Sequence, residues 1–430
     1  MAESTTVKTE HDILRKPELL SPAGDWTCLR AALNAGCDAV YFGVQDLNMR
    51  AGARNFMLSD IPELTALCRA FGVRAYLALN TIVYEYEKSV LAEVLDCASE
   101  SGVDAVICWD FSVIRQALRR DMPVHISTQM SISNTDSILF FYHNLGIRRF
   151  VLARECSLED IVSIRQRLSR ELGERAGEIE IEVFVHGAMC VSISGRCFLS
   201  QFWFGRSANR GECIQPCRRE YFVMDRERKC SFLLGNTYIM SPNDLCAMPF
   251  LEKLIESGVS SLKIEGRNKS PEYVSTVTSS YRNALDYYFV HRSEPDFSKK
   301  FGDLKEKLTG ELSTVYNRGF SSGFFMGKPI DKWTDRHGSS ATKQKEYSGV
   351  VTNYFKKIGV AEVKVESKSL RVGDRVLIQG PTTGIHSEVI EAMEVNHSRV
   401  EEAGKGASVA VKLNRLVRRN DRVYIVCNKR

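Results

Sequence analysis

Eight short runs of strand-forming residues recur through residue 267, and helix-patterned stretches separate them. The runs are PELLSP from Pro17, DAVYFGV from Asp38, RAYLALNTIV from Arg74, AVICWD from Ala105, VHISTQ from Val124, RRFVLARE from Arg148, IEIEVFVHG ending at Gly187, and SLKIEGR from Ser261. Strands that alternate with helices pair in parallel, and eight such units predict a (β/α)8 TIM-like barrel of about 290 residues. Connections such as WTCLRAALNAG and IPELTALCRAFG place apolar residues at helical spacing and stop at glycine, as helices packed on a barrel do. The last of them is PEYVSTVTSSYRNALDYYFVHR.

Only the seventh connection is much longer than a βα link. It carries Cys190, Cys197, Cys213 and Cys217 in the order C-x6-C-x15-C-x3-C, among glycines, serines and arginines. Thiolates on such a loop suit tetrahedral zinc or an iron–sulfur cluster. Structural zinc prefers close C-x2-4-C pairs, and Cys190 and Cys197 are too far apart for one, so the spacing favours a 4Fe-4S cluster over zinc and over no metal. An insertion directly after a barrel strand projects over the C-terminal face, where barrel active sites lie. Most of the remaining nine cysteines, such as Cys28, Cys37, Cys68, Cys97, Cys108 and Cys427, sit in apolar runs and read as small hydrophobes. Cys156, Cys230 and Cys246 are intermediate.

A content of 44% hydrophobic and 26% charged residues is that of a globular protein. The start, MAESTTVKTEHDILRK, lacks the apolar core of a signal peptide, and no apolar run nears the roughly 18 residues of a membrane span. The expectation is a cytoplasmic protein with reduced thiols and no membrane partner. Net charge is only +5, but the last stretch, VKLNRLVRRNDRVYIVCNKR, is markedly basic and reads either as a phosphate-binding or as a solvated surface.

The organisation expected is a polar leader over 1–16, the barrel over 17–292 with its cysteine loop at 187–220, an irregular linker over 293–341 with a short helical LKEKL, and a small all-β C-terminal barrel over 342–430. Several strand ends turn polar at one rim: Asn80 and Thr81, Asp110, Ser127 and Gln129, Arg154 and Glu155, His186, then Lys263, Glu265 and Arg267. Each alone could be a helix cap or an ion pair. HExxH, GxSxG and GxxxxGK[ST] are absent, so proteolysis has no residue-level support. His186 and Cys190 stand four apart, but Cys190 serves better as a ligand than as a nucleophile. Glu220 occupies the third cysteine position of a radical-SAM triplet. In FLSQFWFGRSANRG and CRREY, aromatic residues alternate with Arg206, Arg210, Arg218 and Arg219, a mixture that stacks bases and meets phosphates or, equally, covers a cluster.

EVFVHGAMCVSISGRCFLS, Glu182 to Ser200, resembles the signature E-x-F-x2-G-[SA]-x-C-x4-G-x-C-x-L-S of peptidase family U32 at every fixed position. ELLSPAGDWTCLRAALNAGCDAVYFGV and SLKIEGRNKSPEYV are similar to the same family, and GECIQPCRREY favours its tRNA uridine hydroxylase branch. The resemblance implies a 4Fe-4S enzyme that uses prephenate to form 5-hydroxyuridine at the wobble position of tRNA. Its alternatives are a 23S rRNA cytidine hydroxylase, a collagenase-like peptidase and a non-catalytic RNA-binding module. It carries the cluster onto Cys190, Cys197, Cys213 and Cys217, with Cys230 or Cys246 as replacements for Cys217.

Expected catalytic residues are Glu155, His186 and Glu265. Prephenate is a dicarboxylate, and the arginine fork binds a carboxylate through two parallel hydrogen bonds. Arg50, Arg54, Arg154 and Arg267 are the candidates, with Asn80 and Gln129 beside them and Arg196 in reserve. Trp203, Arg206, Arg210, Arg218 and Arg219 are expected at the RNA. Implied partners are tRNA and prephenate, with the oligomer, whether homomeric or with a related subunit, left open.

Overall fold

In the computed structural model, strands and helices alternate from Glu18 onward. The structure describes residues 14–45, 47–50, 54–234, 240–330, 332–335 and 338–429. Residues 1–13 of the expected leader and residues 51–53 of the NMRAGARNF loop therefore lie outside the described residues. The barrel strands are β1 (Glu18–Pro22), β2 (Ala39–Phe42), β3 (Arg74–Ala78), β4 (Ala105–Cys108), β5 (Val124–Ile126), β6 (Arg149–Val151), β7 (Glu180–Gly187) and β8 (Ser261–Ile264). Consecutive strands pair in parallel, and β8 closes the ring by pairing with both β7 and β1, with Ser261 opposite Glu182 and Glu18. The expected (β/α)8 barrel is present.

Helices α1 (Trp26–Asn34), α2 (Ile61–Ala70), α3 (Lys88–Glu100), α4 (Phe111–Leu118), α5 (Thr135–Leu145) and α6 (Leu158–Leu172) fill the first six connections. Side chains alternate across each strand, so Leu19, Val40 and Leu77 meet helix residues such as Leu29 and Leu64, while Leu20, Tyr41, Tyr76, Ala105 and Ile107 point inward. Polar residues at strand ends start several helices. Asp25, Asp110, Asn134 and Ser157 each accept a backbone N–H of the first turn of α1, α4, α5 and α6. The rim residue Asp110 is thus a helix cap.

The barrel floor is ionic. Arg149 bonds Glu18 and lies 2.8 Å from Glu182, Lys263 reaches Glu182 at 2.8 Å, and Tyr76 donates to Glu18 at 2.7 Å. Burial pushes the Glu182 carboxyl up, yet Lys263 and Arg149 outweigh it and hold the group at about 2.

After Gly187 the chain leaves the barrel and forms α7 (Leu199–Phe204) and a hairpin of Tyr221–Met224 with Ser231–Leu234. It returns through a strand at Asp244–Cys246, which pairs antiparallel with β7, Leu245 opposite Gly187 and Cys246 opposite His186. The barrel is completed by α8 (Leu251–Glu256), β8 and the long α9 (Pro271–His291). The segment expected as an irregular linker instead begins with a helix, α10 (Phe297–Leu312), sixteen residues long. It seats Phe301, Leu308 and Leu312 in the main core, and Phe301 stacks on Tyr287 of α9 at 6.1 Å.

The remaining chain forms an antiparallel sheet with its own core of Val351, Ala361, Val363, Val376, Ile378, Val409, Val411 and Val423. It touches the barrel where Gly384 meets Arg30 and Asn34 of α1, and where Lys345 lies 2.9 Å from Glu272 in the first turn of α9. No described helix is long and apolar enough to cross a membrane.

Candidate active site at the barrel mouth

A cavity of about 60 Å³ opens at the C-terminal ends of the strands. Its wall includes Tyr41, Arg50, Asn80, Gln129, Arg154, Phe184, Lys263, Glu265 and Arg267. Six residues proposed from the sequence are therefore brought together: Arg50, Asn80, Gln129, Arg154, Glu265 and Arg267. Glu265 is central to their charge. Burial pushes its carboxyl up, but Arg50, Arg154 and Lys269 prevail and hold it at about 2, with Arg50 Nη2 donating to Oε1 at 2.7 Å. It is an anion at neutral pH.

Arg50 keeps its charge because Glu265 offsets its burial. Among the described residues no carboxylate forms an ion pair with Arg154 or Arg267, and burial lowers both, Arg267 to about 10. Arg154 stacks 4.0 Å over Phe184 and donates to the Ala188 carbonyl at 2.6 Å, while Arg267 donates to Asn48 Oδ1 at 3.1 Å. Among the described residues of the cavity wall, three guanidinium groups thus share one carboxylate, with Lys263 committed to Glu182 below. The surplus of positive charge in a water-poor pocket suits an anionic ligand.

Asn48 escaped the sequence reading. It is fully buried, its Oδ1 accepts from Arg267 and the Arg50 backbone, and its Nδ2 donates to the Val44 carbonyl, so it fixes both arginines. A Cβ on Gly43 would lie 2.5 Å from Arg267 Nη1 and 2.9 Å from Asn48, so this position needs glycine. Asn80 also acts through the backbone, accepting from Met49 N at 3.1 Å, and Gln129 accepts from the Ser127 hydroxyl.

Other candidates lie elsewhere. Arg54 is 81% exposed and pairs with Asp25 at 3.3 Å, outside the cavity wall. His186 is buried against Tyr273, Tyr281 and Phe320, and burial lowers it to about 3, so it is neutral and removed from the cavity. The cause is a register shift between Lys263 and Ile264 opposite β7: Phe184 faces the cavity, whereas His186 turns toward α9. Glu155 accepts the Ser194 N–H at 2.8 Å and so anchors the cysteine loop instead of lining the cavity.

The loop is tied across the mouth by further contacts. Arg210 pairs with Glu87 and donates to the Ile82 carbonyl after β3, Arg218 donates to the Met189 carbonyl at 2.9 Å, and Arg196 donates to Ser131 at 3.0 Å. Arg210 and Arg218 are thereby engaged within the protein. Trp203 is 60% exposed and packs on Tyr221, Arg219 lies 5.2 Å over Phe204, and Arg206 is exposed near Glu212. Gly187, at φ +108°, starts the loop where a Cβ would come 2.7 Å from the Glu265 carbonyl, which explains a glycine at this turn.

All four loop cysteines are free, Cys190 and Cys213 exposed and the other two half-buried. The Ser192 N–H points to Cys190 Sγ at 3.5 Å, the Leu199 N–H to Cys197 Sγ at 3.3 Å and the Ser200 hydroxyl to Cys213 Sγ at 3.9 Å. Burial raises the Cys217 thiol, Arg218 opposes it, and Cys190 and Cys213 are near enough to raise it further. These donors and the neighbouring arginine suit thiolate ligands. Among the described residues, no three histidine, cysteine or acidic side chains converge as a site for a single metal ion. Cys246 is buried under Tyr281 and raised by burial to about 11, the setting of a packed thiol, while Cys230 is exposed beyond the hairpin turn.

Known proteins share this sequence over most of its length. A collagenase of Porphyromonas gingivalis is 37% identical over 410 residues, 95% of this chain and 97% of its own. The tRNA hydroxylation protein P1 of Bacillus subtilis is 35% identical over 399 residues, 91% and 90% of the two chains. A 23S rRNA 5-hydroxycytidine synthase of Escherichia coli is 33% identical over 390 residues, 89% of this chain and 56% of that one. The profile of Peptidase family U32 matches residues 24–335, which hold the barrel after its first strand, the cysteine loop and the cationic cavity, and the chain belongs to that family.

Proposed function

We propose that the protein hydroxylates RNA, with the wobble uridine of tRNA converted to 5-hydroxyuridine at the expense of prephenate. The observation that carries this reading is the cavity in which Arg50, Arg154 and Arg267 face a single ionised carboxylate, Glu265. A dicarboxylate entering it would offset the surplus charge, and fork-shaped donors bind a carboxylate through two parallel hydrogen bonds. The Bacillus subtilis and Escherichia coli relatives bear names of tRNA and rRNA hydroxylation, which supports RNA as the class of substrate.

Cys190, Cys197, Cys213 and Cys217 would hold a 4Fe-4S cluster. Each thiolate would bind a different iron, so the four need not converge on one point. Such a group supplies electron transfer or fixed charge beside the cavity. The chain's own residues position the anion, hold Glu265 ionised and roof the mouth against water. A collagenase-like reading has the Porphyromonas gingivalis relative in its favour, but among the described residues no histidine lines the cavity, and its Ser127 hydroxyl is spent on Gln129.

Mass analysis of tRNA nucleosides from a deletion strain tests the proposal. Loss of 5-hydroxyuridine and its derivatives is the expected result. An unchanged tRNA profile with missing ribosomal 5-hydroxycytidine would move the substrate to rRNA, and unchanged tRNA and rRNA would overturn the reading.

A further inference from the structure

At one end of the C-terminal sheet, where neighbouring central strands turn, two segments far apart in sequence bring unpaired cations together. The strand Lys343–Phe355 turns through Lys356 and Lys357 into Val360–Val365, with Phe355 and Ile358 exposed at the tip. The strand Ser408–Lys412 lies alongside, Lys412 opposite Val360, and the following loop is held there by Leu413 N donating to the Gly359 carbonyl at 2.8 Å and Asn420 N to the Val351 carbonyl at 2.8 Å. That loop carries Arg415 and Arg419, both exposed.

None of Lys356, Lys357, Lys412, Arg415 and Arg419 makes an ion pair among the described residues, although other basic residues of this sheet do: Lys345 with Glu272, Lys368 with Glu346 and Arg371 with Glu402. The acids nearest this end are occupied internally. Glu388 accepts from Asn414 and pairs with His386, and Asp421 accepts from Thr383 and the Arg418 backbone. What remains is a run of free cations interleaved with an exposed ring and aliphatic groups, complementary to a polyphosphate chain.

We propose that this end of the sheet binds the phosphodiester backbone of the RNA substrate at a point outside the cavity; the inference rests on the RNA reading above. The strand Lys343–Phe355 is anchored beside α9 at Lys345 and runs 13 residues to the basic tip. At the rise of an extended strand it spans at most roughly 40 Å. A folded RNA that extends beyond the stem and loop around the target nucleoside would meet both places.

The test compares the wild type with the combined variant Lys356→Gln, Lys357→Gln, Arg415→Gln and Arg419→Gln, after circular dichroism confirms an unchanged fold. Affinities for an unmodified full-length tRNA transcript and for its isolated anticodon stem–loop are measured from 50 to 300 mM KCl. The variant should bind full-length tRNA at least about tenfold more weakly, with a log–log salt slope shallower by about 3, and bind the stem–loop as wild type does. An unchanged slope with full-length tRNA overturns the inference, as does a loss confined to phosphatidylserine vesicles or to a polyglutamate peptide. Wild-type protein that binds neither RNA overturns the functional reading itself, a distinct result.

Discussion

Arg50 Nη2 stands 2.7 Å from Glu265 Oε1, joining the loop after β2 to the end of β8 across the cavity. The pair makes Glu265 a counter-ion, and in the proposed function Arg154 and Arg267, held by neutral oxygens, are the cations that would meet a ligand's carboxylates. With its carboxyl held at about 2, Glu265 cannot donate a proton near neutrality.

Replacing either of these two guanidinium groups by an ammonium keeps the charge and removes the fork. Arg154→Lys and Arg267→Lys should each lower hydroxylated tRNA nucleoside by about a hundredfold, while tRNA affinity and visible absorbance stay near wild type. Mass analysis of modified tRNA and filter binding check this, and wild-type product from both variants would remove the dicarboxylate site from the cavity.

The barrel floor sets an acid limit on stability. Glu182 sits at about 2 in the folded chain against roughly 4.3 when unfolded, so its stabilisation is fully present above about pH 5 and is lost as pH falls toward 2. Glu182→Gln should cost about 3–5 kcal/mol at pH 7 because it strands Lys263 and weakens the hold on Arg149, and the deficit should shrink below pH 4. Chemical denaturation across pH measures both.

Cysteine substitutions separate ligands from packing. Cys190→Ala, Cys197→Ala, Cys213→Ala and Cys217→Ala should each bleach anaerobically purified protein and lower its iron and sulfide. Cys246→Ala should keep the colour and lose only packing, on the order of 1 kcal/mol. Colour that follows Cys246 instead would reassign the fourth ligand.

His186 gives a converse test. Its folded value of about 3 lies below the roughly 6.5 of an unfolded histidine, so the unfolded chain binds the extra proton and stability falls as pH drops from 6.5 toward 3. His186→Phe should flatten that part of the stability profile and leave hydroxylation measurable. Complete loss of product in a folded variant would return His186 to the catalytic group.

The eight strands were legible because helix-spaced runs separate them, and the cysteine loop because its composition is poor core material. Arg154 and Arg267 of the mouth were legible as polar residues at strand ends, and Arg50 as an arginine of the loop after the second strand. Asn48 was not, since an asparagine after a strand looks like any turn residue until its partners Arg50 and Arg267 are seen. His186 was misplaced because a one-residue shift reverses which face a side chain takes, and no residue type marks such a shift. Helix α10 was hidden by its lysines, which leave only a narrow apolar stripe at Phe301, Leu308 and Leu312.

The excursion that carries the cysteines begins and ends on a single rung of the ladder, where Leu245 lies opposite Gly187. A segment closed at its base in this way imposes no strain on the strand order beneath it, whatever its length. A short turn joining Gly187 to Leu245 should therefore leave a closed barrel, while Arg154 would lose the Ala188 carbonyl that now holds it at the cavity.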